Sequence, residues 1–194
     1  MRLPAFVASS LLFFASSSVF AASYQFDGSN SLKWTAKKLA GEHQGDVKLK
    51  DGTLNLDGKS DKGRFVFDLK SINNTDLNGE WKAKLEGHLK SPDFFNVDKF
   101  PEAVFVIKEA KQDPKDKSKY EVKGDLTIKD ITKPVAFPAT IKEEKGKALV
   151  TAKLTINRLD WDIRYNSGKF FDPKALGDKL ILDDVNFAFD LASK

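Results

Sequence analysis

The sequence predicts an all-β fold, and three observations lead to that prediction. Apolar and polar residues alternate with a period of two, as in Phe65–Lys70 and Tyr120–Lys129, which is typical of antiparallel strands with one solvated face. Turn-forming pairs interrupt these runs: Asp51-Gly52 predicts a hairpin, and Lys145-Gly146 predicts another tight reversal. The runs recur about every ten to fifteen residues, so we expect about eight to ten strands, a number typical of a closed barrel or a sandwich.

The predicted strands follow one another without a linker, a repeat or a change of composition, which indicates one domain over residues 22–194. Pro134 and Pro138 cannot donate to a central ladder, so they predict an edge, a bend or a bulge. The alternating apolar residues that mark the strands are Val47, Leu49, Leu54, Leu56, Phe65, Phe67, Phe105, Ile107, Tyr120, Val122, Leu126, Ile128, Val135, Phe137, Ile141, Ala148, Val150, Ala152, Leu154, Ile156, Leu180, Leu182, Phe187, Phe189 and Leu191.

One segment has a helical period instead. Trp81, Leu85 and Leu89 recur at i, i+4 and i+8 with lysines and glutamates between them, which places them on one face of a helix. We therefore expect one short helix over about Glu80–Lys90 that packs this face against the strands, with Pro92 just beyond its end.

The first residues carry the pattern of a secretory signal peptide. Arg2 supplies a positive start, the mostly apolar run Phe6–Phe14 follows, and Val19-Phe20-Ala21 places small residues where a signal peptidase needs them. The apolar run is shorter than the ~20 residues that span a bilayer. We therefore expect residues 1–21 to be a signal peptide cleaved after Ala21, or alternatively after Ala22, and a soluble periplasmic or secreted protein without a transmembrane segment.

Composition argues against several function classes. The chain has 32 Lys and Arg against 28 Asp and Glu, interspersed along its length, whereas a nucleic-acid-binding protein is expected to carry a one-sided basic stripe. A weak, transient contact with an anionic membrane stays open. Cysteine is absent, so an exported domain of this kind must rely on its hydrophobic core rather than on disulfides.

Neither a metal site nor an active site is expected. The two histidines, His43 and His88, are far apart in sequence and lack the i, i+4 spacing of a metal-binding helix, so we expect no metal and no other cofactor. A histidine at a cavity mouth, or one held by structural hydrogen bonds, is the favoured interpretation.

A group of carboxylates lies near Trp161 and could suggest a glycosidase: Asp160, Asp162 and Asp172. Strand alternation offers a simpler interpretation, in which Trp161 points to an apolar face while Asp160 and Asp162 point to solvent. We therefore expect no catalytic residue, and a hydrolase is the least favoured alternative function.

Two polar loops each carry a pair of phenylalanines. Phe94-Phe95 lies within Gly87–Phe105, between the helix and the next strand, and Phe170-Phe171 follows Asn166–Lys169. Because each such ring removes on the order of 150–250 Å² from water, these rings must bury, either as a plug over the core or as the wall of an apolar cavity. The recurrence of the pair favours a cavity with a lined mouth.

Polar residues beside the second loop would then contact the headgroup of a ligand: Arg164, Tyr165 and Asn166. The alternative is that they close the end of the fold by hydrogen bonds.

Two long motifs follow the pattern of a known protein family. HLKSPDFFNVDKFPEAVF, residues 88–105, matches the family pattern HL-x-S-x-DFF-x-V-x-x-YP-x-x-x-F. YEVKGDLTIKDITKPVAF, residues 120–137, matches Y-x-V-x-GDLTI-x-G-x-T-x-PV. Together they resemble the YceI-like family, the polyisoprenoid-binding proteins of lipocalin-like fold, and the resemblance covers essentially residues 23–192. Phe100 stands where the family usually has Tyr, Asp130 where it often has Gly, and Asn30-Ser31 where many members have His-Ser.

The resemblance implies an extended antiparallel lipocalin-like β-barrel of about eight strands with one short helix, enclosing a tunnel for a long-chain lipid. Association costs about 4–15 kcal/mol and each buried CH₂ returns about 0.8 kcal/mol, so a tail of about ten or more carbons would bind with little polar help. We expect no catalysis. The tunnel candidates are Phe65, Phe67, Phe94, Phe95, Phe105, Leu126, Phe137, Leu154, Trp161, Phe170 and Phe187, and the mouth candidates are His88, Arg164, Tyr165 and Asn166.

The favoured function is therefore an exported carrier of an isoprenoid or a fatty-acyl amphiphile. The main alternative is a structural or stress-response barrel whose own side chains fill its interior. Whether the protein forms a homodimer stays open, since prolines protect the predicted edge against strand pairing.

Overall fold

The structure is a computed structural model that describes residues 22–58 and 61–194, and the expected signal peptide, residues 1–21, lies outside these residues. Ten strands make up most of the described chain. Their bounds are β1 Ala22–Phe26, β2 Ser31–Lys38, β3 Gly41–Leu56, β4 Lys62–Asp68, β5 Asn73–Asn74, β6 Glu102–Gln112, β7 Lys119–Ile128, β8 Ile131–Glu144, β9 Lys147–Asn157 and β10 Ile181–Ala192, and the helices are α1 Gly79–Lys90 and the single-turn α2 Pro173–Leu176.

Eight strands close into an antiparallel barrel. They follow one another around the wall in the order β3, β2, β10, β9, β8, β7, β6 and β4, and β4 pairs with β3 to complete the circle. β1 continues the wall beside β3, where it lies opposite Gly52–Leu56, while β2 lies opposite Gly41–Lys48. The predicted extended antiparallel barrel of about eight strands with a short helix is confirmed.

The connections alternate between the two ends of the barrel, because successive barrel strands run in opposite directions. The α1 end holds the β2–β3 turn, the connection 69–101 that contains α1, the β7–β8 turn and the connection 158–180. The terminal end holds the β3–β4, β6–β7 and β8–β9 connections and the end of β10. Segments far apart in sequence therefore meet at the α1 end.

Two hairpin turns use residues with positive φ. Lys145 and Gly146 have φ values of 52° and 79° between β8 and β9, which confirms the predicted reversal. Lys129 and Asp130 have φ values of 50° and 57° in the two-residue β7–β8 turn. Both central residues of such a turn need positive φ, and Asp tolerates this conformation better than most non-glycine residues. Asp130 therefore replaces the glycine of the family pattern without breaking the hairpin.

The hairpin predicted at Asp51-Gly52 is wrong. β3 runs straight through both residues, and its pairing with β4 shifts register between Leu49 and Asp51 instead. A Cβ at Gly52 would lie 2.7 Å from the ring of Phe65 and 3.2 Å from Cβ of Phe26. The glycine thus serves the close approach of an aromatic ring to the strand rather than a turn.

The predicted effect of the two prolines is confirmed. β8 pairs with β9 only over Ala139–Glu144, so in the described structure Ile131–Pro138 is paired with β7 on one side alone. Pro134 and Pro138 both lie in this half-paired segment. A 3₁₀ turn over Arg158–Trp161 follows β9 and contacts β8 and β10 near this opening.

The helix forms where predicted, but its packing differs from the prediction. Trp81 is 70% exposed, and the ammonium group of Lys84 lies 5.0 Å from its ring centre. Leu85 is half-buried, and of the three predicted residues Leu89 packs against the barrel core. The apolar stripe therefore does not bury along its full length, and earlier turns of α1 contact the sheet through polar side chains, as Lys82 does by donating to Asn73 of β5 at 2.8 Å.

The strand predicted around Trp161 is a 3₁₀ turn that ends at Asp162 in a left-handed conformation, with φ of 56°. The side chains still separate as the alternation predicted, since Trp161 and Ile163 are buried while Asp160 and Asp162 are exposed. A turn of about three residues can separate apolar and polar side chains as a strand does, so the pattern alone could not distinguish them.

Candidate functional site

The barrel encloses an apolar cavity of about 110 Å³ in its half nearer the α1 end. A single water needs about 10–15 Å³ in a comparable measure, so the cavity has room for a chain of several carbon atoms. Inward residues of β10 remain only half-buried because they face this space. Eight of the predicted tunnel residues line it: Phe67, Phe94, Phe95, Phe105, Leu126, Phe137, Leu154 and Phe187.

Three predicted tunnel residues lie elsewhere. Phe65 lines a second, smaller cavity of about 40 Å³ toward the terminal end. Trp161 is buried outside the lining, where its indole N–H donates to the carbonyl of Leu126 at 3.2 Å. Phe170 is 49% exposed and stacks under the guanidinium of Arg164, so its assignment to the tunnel wall is wrong.

The Phe94-Phe95 loop forms part of the cavity wall and is held by backbone hydrogen bonds at the end of α1. The amide of Phe94 donates to the carbonyl of Ser91 at 3.1 Å, and that of Phe95 donates to the carbonyl of Leu89 at 3.1 Å. Asn96 adopts φ of 50° and its amide also donates to Ser91. Both rings line the cavity, so the interpretation as a wall describes them better than that of a plug over a filled core.

Two of the predicted mouth residues meet at the α1 end. The rings of His88 and Tyr165 lie edge to face with centroids 4.4 Å apart, and Phe94 contacts both at 5.0 and 5.5 Å. His88 Nε2 lies 3.4 Å from a carboxylate oxygen of Asp93. The two double-phenylalanine loops, distant in sequence, thus meet beside the cavity.

The other two predicted mouth residues have structural partners. Arg164 Nε lies 2.6 Å from a carboxylate oxygen of Asp162. Asn166 donates from its side chain to the carbonyl of Lys179 at 3.0 Å, and its own carbonyl accepts from the amide of Ile181 at 3.0 Å. Asn166 therefore fulfils the alternative interpretation, closing the end of the barrel by hydrogen bonds.

A buried arginine that sequence reasoning missed borders the cavity. Arg158 is 3% exposed, and it donates to the carbonyls of Ile163, Ile181 and Leu182 at 2.7, 3.1 and 3.3 Å. Its Nη2 also lies 3.3 Å from the carboxylate of Asp183. Burial lowers the pKa of Arg158, and the Asp183 carboxylate partly offsets this. The alternation of β9 carries a signal for this burial, since Arg158 follows Leu154 and Ile156 at the next position of the same inward face.

Trp34 also borders the cavity. Its indole N–H is buried without a hydrogen-bond partner in the described part of the chain. A buried donor left unpaired costs about 1–3 kcal/mol. A bound molecule with an acceptor atom at this nitrogen would accept a hydrogen bond from it and so remove that cost.

His43 belongs to a structural network. Its Nδ1 lies 2.8 Å from a carboxylate oxygen of Asp76, whose other oxygen accepts from the amide of Gln44 at 2.8 Å. Burial alone raises the pKa of Asp76, but hydrogen bonds from Gln44, His43 and Asn74 outweigh it and hold that pKa below its usual range. The network ties the segment before α1 to β3.

The described residues contain no metal-binding cluster, and two of the carboxylates near Trp161 have structural partners. Within 22–58 and 61–194, no group of three or more His, Cys, Asp or Glu side chains could hold a metal ion. Asp162 pairs with Arg164, and Asp172 caps α2 by accepting from the amide of Lys174 at 3.0 Å. Across the same described residues, neither helix is long and apolar enough to cross a membrane.

Large apolar side chains are exposed at the α1 end, where the predicted mouth residues His88 and Tyr165 lie. We call this set the apolar collar, and in the described chain its members are Leu39, Trp81, Phe170, Phe171 and Leu182. All of them lie in connections or strand starts of the α1 end. Lysines flank them in sequence, including Lys38, Lys82 and Lys169.

Comparisons with known proteins agree with this architecture. The family model described as YceI-like domain matches residues 24–193. The UPF0312 protein of Photorhabdus laumondii is 34% identical over 144 residues, which span 74% of this chain and 62% of that protein. Protein YceI of Salmonella arizonae is 32% identical over 142 residues, spanning 70% of each chain. The chain thus spans less than two thirds of the length of the Photorhabdus relative.

Solved structures share the fold at low sequence identity. The crystal structure of Burkholderia cenocepacia BcnA superposes with a TM-score of 0.69 at 21% identity, over 87% of this chain and 99% of that one. A polyisoprenoid binding domain from Saccharophagus degradans superposes with a TM-score of 0.64 at 12% identity, over 90% and 99%. The family match over nearly the whole described chain, the curated relatives and the shared barrel lead to one conclusion: the chain belongs to the YceI-like family.

Proposed function

We propose that this protein is exported and binds a long-chain amphiphile, an isoprenoid or a fatty-acyl chain, in the barrel cavity without catalysis. The observation that carries the proposal is the cavity itself, about 110 Å³ of space bordered almost entirely by apolar side chains. A barrel of this size can instead fill with its own side chains, and the remaining space favours a ligand over a solid core.

The energetics favour a long apolar chain over a small polar metabolite. Each methylene that leaves water for the cavity contributes about 0.8 kcal/mol. A polar metabolite would lose its hydration and find few partners among these rings, which costs about 2–7 kcal/mol for each unpaired polar group. The ligand that suits the cavity is therefore a hydrocarbon chain.

Other observations support the remaining parts of the proposal. The Saccharophagus neighbour is described as a polyisoprenoid binding domain, and its barrel has the same fold. The pattern of residues 1–21 supports export to the periplasm or the outside of the cell. At the mouth, His88 and Tyr165 would lie nearest to a polar headgroup, because their rings border the loop that lines the cavity.

The apolar collar supports transient contact with a membrane surface as the route of exchange. A lipid that moves between bilayer and cavity avoids water only if the mouth touches the bilayer, and the collar lies at the α1 end. Exposed rings and aliphatic side chains flanked by lysines suit insertion at an anionic bilayer interface. We propose that an anionic bilayer is the surface that the collar contacts.

The decisive experiment is to express the full chain in an exporting bacterium, purify the mature protein, and identify organic-extractable lipid by mass spectrometry. We expect near-stoichiometric prenyl or acyl lipid. Ala36→Phe places a ring in the cavity, so it should lose the lipid, whereas Ala136→Phe adds the same ring to an exposed position of β8 and should keep it. A native protein that yields no lipid and takes up no added prenyl chain would defeat the proposal.

A further inference from the structure

Four phenylalanines form a layer across the lumen of the barrel. Phe67, Phe105, Phe137 and Phe189 come from β4, β6, β8 and β10. The ring centroids of Phe105 and Phe137 are 5.4 Å apart, those of Phe137 and Phe189 are 6.0 Å apart, and those of Phe67 and Phe189 are 6.1 Å apart. We call this set the phenylalanine layer.

The phenylalanine layer separates two cavities. The larger one, about 110 Å³, lies on the side of the α1 end, and the smaller one, about 40 Å³, lies toward the terminal end. Phe105, Phe137 and Phe189 line both cavities, and they are the residues that the two linings share. The rings therefore form a partition within one apolar lumen.

The partition is built from side chains, so it can be removed without changing the barrel wall. Phe137 contacts rings on both sides, Phe105 and Phe189, and its plane lies within 8° of that of Phe189. The spacing of 6.0 Å between these two parallel rings lies within the 4.5–7 Å range of aromatic pairs. Phe137 is therefore the ring whose loss joins the two spaces.

We propose that the phenylalanine layer limits the length of the chain that the barrel accepts, with Phe137 as its central specificity-determining residue. This inference rests on the proposed lipid-binding function. A chain that enters from the α1 end gains about fourfold in affinity for each methylene placed in the larger cavity. A further methylene must displace a ring of the layer, and the contacts that it gains replace contacts that the ring loses. The affinity therefore stops rising once the chain reaches the layer.

The test compares the native protein with two variants of equally buried residues. Phe137→Ala opens the partition, whereas Leu154→Ala enlarges the larger cavity without touching the smaller one; both side chains are 9% exposed in the native protein. The delipidated proteins are titrated with saturated fatty acids of about 8 to about 20 carbons, since each step adds a known number of methylenes. Displacement of a fluorescent fatty acid reports the affinity.

For the native protein we expect the affinity to rise about fourfold per methylene and then level off at a break length. Phe137→Ala should move the break to chains several carbons longer, and Leu154→Ala should leave it in place. Phe137→Leu retains more apolar volume than Phe137→Ala, so it should shift the break in the same direction by a smaller amount. It serves as the test if the alanine variant does not fold.

An unchanged break in both Phe137 variants, or an equal shift in Leu154→Ala, would overturn the inference while leaving lipid binding intact. If no fatty acid and no prenyl chain bound to any of the folded proteins, the proposed function itself would fail. The two failures are therefore distinguishable.

Discussion

The imidazole of His88 meets the ring of Tyr165 edge to face, with centroids 4.4 Å apart and planes at 88°. His88 lies in the last turn of α1, and Tyr165 lies in the connection between β9 and β10. Phe94 touches both rings. This aromatic contact joins the two connections that carry the phenylalanine pairs, at the α1 end of the barrel.

Replacing the Tyr165 ring should loosen the mouth. Tyr165→Ala removes two aromatic contacts, each worth about 0.5–1.5 kcal/mol, so the free energy of unfolding should fall by about 1–3 kcal/mol. Urea denaturation measures this change. Tyr165→Phe keeps the ring and should stay within about 0.5 kcal/mol of the native protein. Equal stability of the alanine variant and the native protein would show that the contact does not hold the loops together.

Arg158 should be among the most sensitive positions in the chain. Arg158→Met removes the donor of three backbone carbonyls and the nearer cation of the partly buried Asp183 carboxylate. We therefore expect the unfolding free energy to fall by about 3–5 kcal/mol. Lys169 is the matched control because its ammonium lies 3.8 Å from the same carboxylate but is exposed.

Lys169→Met should change the unfolding free energy by less than about 1 kcal/mol. A similar small effect for Arg158→Met would mean that the buried guanidinium does not stabilise the end of the barrel. Both values come from urea denaturation at one pH.

Alkaline pH should destabilise the fold through Tyr24. Burial, and next the Glu143 carboxylate, raise the pKa of Tyr24 from 10.0 to about 12. The folded state therefore favours the neutral phenol. This stabilising contribution is complete below about pH 10 and is lost as the pH rises toward about 12.

Tyr24→Phe should reduce the fall in unfolding free energy between about pH 10 and about pH 12. Glu143→Gln should lower the pKa of the Tyr24 phenol, because it removes the carboxylate that helps to raise it. Phenolate absorbance and urea denaturation, recorded at each pH, follow the two effects. A native protein whose phenolate absorbance is already complete near pH 10 would contradict the assignment.

The apolar collar should govern binding to vesicles. Replacing Phe170 and Phe171 with serine removes two half-exposed rings. Burial of one ring at the bilayer interface contributes up to about 1.5–3 kcal/mol. We therefore expect binding to anionic phosphatidylglycerol-containing vesicles to weaken by at least about tenfold. Lys145→Ser, at the terminal end, is the control and should bind nearly as well as the native protein. Co-sedimentation measures both. Unchanged binding of the double variant would exclude the collar as the membrane contact.

The sequence by itself determined the fold class, most strand positions, the helix bounds and the family. A strand with one face in the core repeats every two residues whatever surrounds it, so local alternation is sufficient to detect it. Pro134 and Pro138 are also informative without tertiary context, because their missing N–H groups predict an interrupted hydrogen-bond ladder wherever the strand lies. The motif around Phe94 carried the resemblance because it combines a helix end, a turn and a strand start in a fixed order.

Only the tertiary structure decided which apolar residues face the cavity and which serve other purposes. Asp51-Gly52 has turn chemistry, yet the packing of Phe65 uses the glycine inside a strand. Phe170 and Phe94 both occur in double-phenylalanine loops, but one ring lies at the surface and the other lines the cavity.

Arg158 and the phenylalanine layer depend on strands that meet only when the barrel closes. The alternation places Phe105, Phe137 and Phe189 on inward faces, but their heights along the barrel axis follow from the register between strands. Register is a property of pairs of strands, and no single strand encodes it. For that physical reason the sequence predicted an apolar interior, and the folded barrel alone divided it into two cavities.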